Sequence, residues 1–586
     1  MKQKSTVKLL LIPALFSAGF VFLPTLWSAN FGFNSYRFLS VLSLAVPVFF
    51  LLFLFTRPYT TGKEECLDII DILIACYIVY ATVNTFLHNR PLTHSIILKW
   101  ITFCGLYLTV RVMSAKHQGQ SILLFGIILS GTIQSIIFLV QKISHYEVFF
   151  NPFSATAQFS NPGHLAAFLA VIFPLPLFPS DRQKHKSTRC ILRIISVLLL
   201  ASIILTISRG PILACVIALI WYLCSKIITG KKSIVMPVLM LTLVLAACSL
   251  LYTIRPKSAE SRLLIWKVTS NEFKSYPILG KGTLSLTKDY MNLQADYFRK
   301  NPDSRYWTTA DNNYQSFNEP LHLLYEQGVV GFIILLFAIA VWFKRQFQTS
   351  LRIALASFLV VSCFLYISDI GPLFCILPVL IGTRSKVHSN TKEIAIGNSS
   401  KHKHQIKAAV LTVLTLGILL LSLICVKDLR AASSELRGLM RDDKLYSDIC
   451  DKHKSILKSN LGYALILSKQ IVKHGSQEEG IDVITQILGN TISTSDMYCD
   501  LGDIYAQSGN YANACLAYKE AFYMVPGMIT PLIKLFNLQI ENNDISGAKL
   551  TAERILNNRY KITGSLVVRS KNQAKHFINK LNYSNL

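Results

Sequence analysis

Charge is scarce in this chain of 586 residues: Asp, Glu, Lys and Arg make up only 16% of it, where a soluble domain carries about 25%. Beside 52% hydrophobic residues, that deficit excludes an ordinary soluble protein. Acids are scarcer than bases, 32 against 59, which leaves a formal net charge of +27. The 13 cysteines form no C-x-x-C pair, and most lie inside apolar runs. They read as small buried hydrophobes, without metal or disulfide roles. The N-terminal stretch "MKQKSTVKLLLIPALFSAGFVFLPTLW" has the layout of a signal peptide but no clear small-x-small cleavage site follows it, so an uncleaved first span is expected.

What the chain has instead is a series of long apolar runs. About thirteen spans are expected, at 8–27, 38–56, 67–87, 95–113, 121–141, 164–179, 191–207, 211–228, 234–253, 329–343, 353–368, 370–383 and 408–426. The segment 370–383 is short and holds Gly371 and Pro372, so it either spans or re-enters. With Lys2, Lys4 and Lys8 inside, every strongly basic short loop falls on the same side, including "DRQKHKSTRCILR" and "KRQFQTSLR". Three longer segments fall outside: 142–163, 254–328 and everything after about 427. The loop at 254–328 carries 10 Lys/Arg and 8 Asp/Glu and is nearly neutral. The basic excess therefore reports membrane orientation, and no nucleic-acid partner is expected.

After the last span the composition becomes that of a soluble domain. Residues 497–526 fit the roughly 34-residue tetratricopeptide template, with Tyr498, Leu501, Gly502 and Tyr505 on the first helix and Ala514, Tyr518, Ala521 and Pro526 on the second. Shifts of one repeat bring Gly480 and Ala548 to the Ala514 position, giving about three repeats. Such a stack is either a scaffold for a protein partner or substrate, or a stabilising cap.

Four polar features lie at outer membrane edges. In "SNPGHLAAFLAVIFPL", Asn161 is placed to cap a helix with Pro162 at its first position. In "LTISRGPILA", Arg209 sits in a tight outward turn between apolar runs, where an arginine either marks function or snorkels to lipid phosphate. In "SRLLIWKVTSNEFKSYPILGKG", Arg262, Trp266 and Phe273 share a helical stripe, and Gly280 and Gly282 flank Lys281 in a turn. In "QSFNEPLHLLYEQGVVG", a helix starting at Glu319 and capped by Asn318 carries Glu319, His322 and Glu326 on one face. Arginine forks match diphosphate oxygens, and a carboxylate beside a histidine can take a hydroxyl proton. No Asp-rich metal motif stands nearby, so transfer from a lipid diphosphate without metal or other cofactor is the chemistry these residues suit. Glu319, His322 and Glu326 all remain candidates for the base.

In this order, "FSNPGHLAAFL", "LTISRGP", "RLLIWKVTSNEFKSYPILGKG" and "FNEPLHLLYEQGVVG" resemble the motifs of the O-antigen ligase and O-antigen polymerase superfamily, over roughly residues 150–345. The resemblance implies a helical bundle of the lipid-dependent glycosyltransferase type and an undecaprenyl-diphosphate-linked glycan as donor. It implies that Arg209 and Arg262 bind the diphosphate; Lys281 joins them as a candidate from its own glycine turn, not from the resemblance. Many members carry a histidine just before the asparagine of the last motif; Phe317 stands there in this chain, so no histidine role carries over to that position.

The expectation is thus an all-α polytopic bundle of about 12–13 spans over 1–427, including the outer loop 254–328, followed by a periplasmic repeat domain at 428–586. It sits in a bacterial inner membrane among membrane lipids and transfers the glycan to lipid A–core or protein. A polymerase using the same lipid-linked donor, a transporter, and a membrane-anchored repeat scaffold are the alternatives.

Overall fold

The structure is a computed structural model that describes residues 14–26, 35–56, 68–90, 92–114, 117–144, 155–178, 185–227, 256–383, 401–441 and 443–584. Among the described residues every regular element is helical. Six helices among the described residues are long and apolar enough to cross a membrane: Ile69–Leu87, His94–Met113, Gln118–Ile143, Lys186–Leu205, Glu319–Arg345 and Val410–Met440. Six shorter apolar helices accompany them, Ala14–Leu26, Arg37–Leu51, Pro162–Leu177, Arg209–Leu223, Thr349–Ser362 and Gly371–Gly382. These match twelve of the expected spans; 234–253 lies outside the described residues. Gly371–Gly382 has 12 residues, a rise of about 18 Å, short of a hydrocarbon core roughly 30 Å thick.

The chain divides into two units. The first comprises Met1–Tyr80, His94–Ile254 and Ile333–Lys427. Its helices invert the soluble pattern. In Lys186–Leu205 the buried residues include Ser196 and Ser202, while Ile191, Ile194 and Val197 are exposed. A helix that hides serine and shows isoleucine is built for lipid, where small polar residues let helices approach and bond. Pro162–Ile172 lies deepest, with every residue from His164 to Ile172 buried.

The second unit comprises Ala81–Thr93, Arg255–Phe332 and Asp428–Leu586. The division after Lys427 falls inside the continuous helix Lys401–Met440. The outer loop, however, was expected to belong with the membrane domain, and it shares a core with the C-terminal helices instead. Leu264, Tyr290, Phe298 and Trp307 of the loop pack in one cluster with Phe522, Ile529, Phe536 and Ala552. Gln294 is fully buried and donates to the Met524 carbonyl at 2.6 Å and the Asp311 carbonyl at 3.1 Å. Trp307 Nε1 donates to Asn558 Oδ1 at 2.7 Å. A 75-residue loop rich in aromatics needs apolar cover, and the C-terminal helices supply it.

Those helices run from Asp451–Ser459 to Ser565–Ser584, each packing on the next in sequence. Ser476 and Glu479 form a capping box at the start of Gln477–Asn490, and Thr494, Asn510 and Asp544 cap later helices. Gly480, Ala514 and Ala548, 34 residues apart in the sequence, are all buried. A Cβ on Gly502 would lie 2.5 Å from the Tyr518 ring, so only glycine lets that pair of helices close.

Candidate functional site

In the second unit, the helix Pro256–Phe273 buries Leu264, Ile265, Val268 and Thr269. Trp266 Nε1, from the same helix, donates to the Ser316 carbonyl at 3.0 Å. This tether brings Arg262 over Phe317, with its guanidinium carbon 5.4 Å from the ring centroid. Phe317 has φ +51°, a left-handed conformation that costs a bulky residue roughly 1–2 kcal/mol. Ser316 holds it there: its hydroxyl donates to the Asn318 carbonyl at 2.7 Å and accepts from the Asn318 N–H at 3.2 Å. Phe317 thus occupies the position where the resemblance leads one to look for histidine, and it provides a cation–π seat for Arg262.

Asn318 then caps the helix Glu319–Arg345, accepting from the Leu321 N–H at 2.9 Å. On that helix His322 Nε2 lies 3.1 Å from Glu326 Oε1, with both side chains largely buried. The expected face therefore brings His322 and Glu326 together, and Glu319 opens the same helix.

The helix breaks at Gly328, φ 64° and ψ −172°. The break frees carbonyls that the "PILGKG" segment takes up. Lys281 N–H donates to the Tyr325 carbonyl at 3.0 Å and Gly282 N–H to that of Glu326 at 2.9 Å. In return, Val329 and Val330 N–H groups donate to Pro277 and Ile278 at 2.8 and 3.2 Å. A Cβ on Gly328 would fall 2.1 Å from the Ile278 carbonyl oxygen, and one on Gly280 2.6 Å from the Glu326 backbone. The glycines of the two motifs are thus required for their backbones to meet. Asn84, which carried no signal in the sequence, locks the joint: its amide donates to the Leu279 carbonyl at 2.9 Å and the Glu326 carbonyl at 3.1 Å.

Lys281 is committed within the unit. Its ammonium lies 2.7 Å from Glu272 and 3.4 Å from Asp289, with the Tyr276 and Tyr325 rings around it. Arg90 stands 3.9 Å from Asp289. Burial, then the charge of Arg90, holds the nearby Lys288 ammonium below its ordinary pKa, with Lys281 adding to the effect against Asp289. Asp289, Arg90 and Asn84 escaped the sequence reading because they lie outside the four motifs, and Glu272, inside the third, carried no signal of its own there.

In the first unit, Asn161 caps Pro162–Ile172 as expected, accepting from the Gly163 N–H at 2.7 Å. A Cβ on Gly163 would stand 3.7 Å from Ser208 Oγ, so the turns "SNPG" and "SRG" are neighbours. Arg209 opens the helix Arg209–Ile227. A Cβ on Gly210 would meet Phe364 at 2.9 Å. Buried His164 lies between Ser160, 3.2 Å from Nδ1, and the Tyr366 hydroxyl, 3.1 Å from Nε2. Elsewhere in this unit Arg111 pairs with Asp71 at 2.6 Å and Asp68 at 3.3 Å.

Among the described residues no cluster of His, Cys, Asp and Glu suited to a metal ion occurs. A family model described as O-Antigen ligase matches residues 194–336. The matched stretch includes Arg209, Arg262, Lys281, Asn318, Glu319, His322 and Glu326; it excludes Asn161 and the C-terminal helices. It supports lipid-linked glycan transfer or polymerisation as the general class of activity in a bacterial membrane. No curated protein and no solved structure matches the chain.

Proposed function

We propose that this protein is a glycan ligase of the inner membrane. It transfers a glycan from an undecaprenyl-diphosphate carrier to a hydroxyl of lipid A–core or of a protein, at the periplasmic face and without a metal. The observation that carries this reading is the seat of Arg262 on Phe317, one residue before the cap of the helix that carries the His322–Glu326 pair. This supports reading Arg262 as the diphosphate-binding cation and the His322–Glu326 pair as the source of the base, in adjacent parts of one unit.

In this mechanism Arg262 binds the diphosphate and stabilises the charge it gains as it leaves; the resemblance assigns the same role to Arg209. The acceptor oxygen attacks the anomeric carbon while the bond to the diphosphate breaks. The base takes the acceptor proton, and His322 fits that role better than Glu319, because its Nε2 lies 3.1 Å from Glu326 Oε1, close enough for that carboxylate to stabilise the ring as it gains charge. Lys281 shapes the turn and its field; to touch the donor directly it would have to exchange Glu272 and Asp289 for diphosphate.

We read the C-terminal helices as a tetratricopeptide-type stack whose first duty is to complete the core of the donor-binding loop. Binding of a protein partner is a further role that its outer surface leaves room for. Deletion of the gene followed by a glycan gel tests the assignment. A ligase mutant keeps long lipid-linked polymer and loses the ladder on its acceptor. Acceptor carrying a single repeat unit would instead identify a polymerase, and unchanged glycans would refute both.

A further inference from the structure

Four consecutive carbonyls in the outer loop, those of Tyr276, Pro277, Ile278 and Leu279, all have donors. They accept from the N–H groups of Gly280, Val329 and Val330 and from the amide of Asn84, at 2.8–3.2 Å. The side chains of the same stretch point the other way. Ile278 is 66% exposed, Tyr276 48% and Leu279 43%. Val329 and Val330, paired to this stretch through their backbones, are also exposed. Water does not explain this combination. A solvated loop leaves carbonyls to water and shows polar side chains, whereas this one covers its carbonyls and shows isoleucine, leucine and tyrosine.

Hydrocarbon explains it. Irregular backbone survives at membrane depth only where protein satisfies its polar groups. Here the backbone face is covered by the broken helix and by Asn84, leaving apolar side chains outward. Val329 and Val330 begin the apolar run of the Glu319–Arg345 helix, which is long and apolar enough to span, so the exposed patch continues into the apolar run of a candidate membrane span. Tyr276, at the edge of the patch, suits the headgroup level, where aromatic side chains with one polar end collect.

We infer that residues 276–279 form a wedge inserted into the membrane interface, with Ile278 and Leu279 among the acyl chains of the leaflet the loop faces. The wedge anchors the turn that carries Gly280, Lys281 and Gly282 at a fixed depth. The proposal stands on geometry alone and holds whichever glycan reaction the protein performs.

The test uses full-length protein in phosphatidylcholine–phosphatidylglycerol vesicles. A clickable amino acid introduced at position 278 carries an environment-sensitive NBD dye, leaving the 13 native cysteines untouched. The same dye is placed at 279 as a second reporter and at exposed position 303 as the control. Lipids with a nitroxide on the acyl chain near the headgroup should quench the dye at 278 and 279 several-fold more than at 303. Aqueous iodide should show the opposite order. Nitroxide quenching at 278 and 279 no greater than at 303 overturns the wedge. Loss of glycan transfer with quenching retained would bear on the ligase reading and leave the wedge intact.

Discussion

Replacing Gly328 with alanine should separate the two glycine motifs. At φ 64° and ψ −172° the backbone is in a region open essentially to glycine, and holding a non-glycine residue there costs about 1–3 kcal/mol. The new methyl would also fall 2.1 Å from the Ile278 carbonyl oxygen. No flexible side chain can move aside, because the obstacle is backbone. The ladder must therefore open, and its bonds from Val329 and Val330 are the first to go; each is worth roughly 1 kcal/mol net. The combined loss is roughly 3–5 kcal/mol, taking strain and bonds together. The assay has two arms: thermal unfolding of the purified protein in detergent, and complementation of a deletion strain read on a glycan gel. Gly328→Ala should lower the unfolding temperature and abolish the ladder, while Gly489→Ala, in a helix with open space around it, should do neither. Normal unfolding and a normal ladder for Gly328→Ala would refute the idea that the helix break is held by the facing glycine turn.

Arg209→Ala and Arg262→Ala should each abolish transfer while the protein remains in the membrane at normal abundance, measured by immunoblot and glycan gel; activity in either would remove the diphosphate role. Phe317→Ala should impair transfer less than His322→Ala, since it costs Arg262 a cation–π seat worth about 0.5–2 kcal/mol and no reacting group; the reverse order in initial rates would mean the helix face is misassigned. Asp500 gives a pH test, because burial first, then Asp503 and Asp496 against Lys534 and Lys469, pushes its carboxyl up to about 6. The native state then holds that proton more tightly than the unfolded chain does, so stability falls as pH rises from about 4 to about 6 and the cost is complete above that. Asp500→Asn should therefore be more stable than wild type above pH 6, by roughly 2 kcal/mol after allowing for partial exposure, with no advantage near pH 4; equal unfolding curves at both would show Asp500 to be unperturbed.

How far the sequence carries depends on whether the physics is periodic or a matter of meeting. Spans are legible because bilayer thickness imposes a run length, and the capping roles of Asn161 and Asn318 are legible because a cap and the helix it starts are adjacent in sequence. The pairing of His322 with Glu326 likewise follows from helical spacing. The break at Gly328 is different. "EQGVVG" reads as the mouth of an apolar run, and nothing local says that a turn about fifty residues earlier will take its freed carbonyls. Asn84 lies some two hundred residues from both partners, so its bonds to Leu279 and Glu326 are invisible without the fold. The same cause misplaced the outer loop. Its aromatic residues declare a need for burial, but the sequence does not name the partner, and Phe522 and Asn558 lie more than two hundred residues downstream. One consequence bears on how the C-terminal helices should be studied. Because they complete the core beneath Arg262, truncating 430–586 would expose Leu264, Phe298 and Trp307 and disorder the donor loop. Loss of activity on truncation therefore cannot distinguish an acceptor-binding repeat from a structural one. Substitutions on the outer surface of the stack, such as Leu516→Ser and Leu550→Ser, leave that core intact and isolate partner binding.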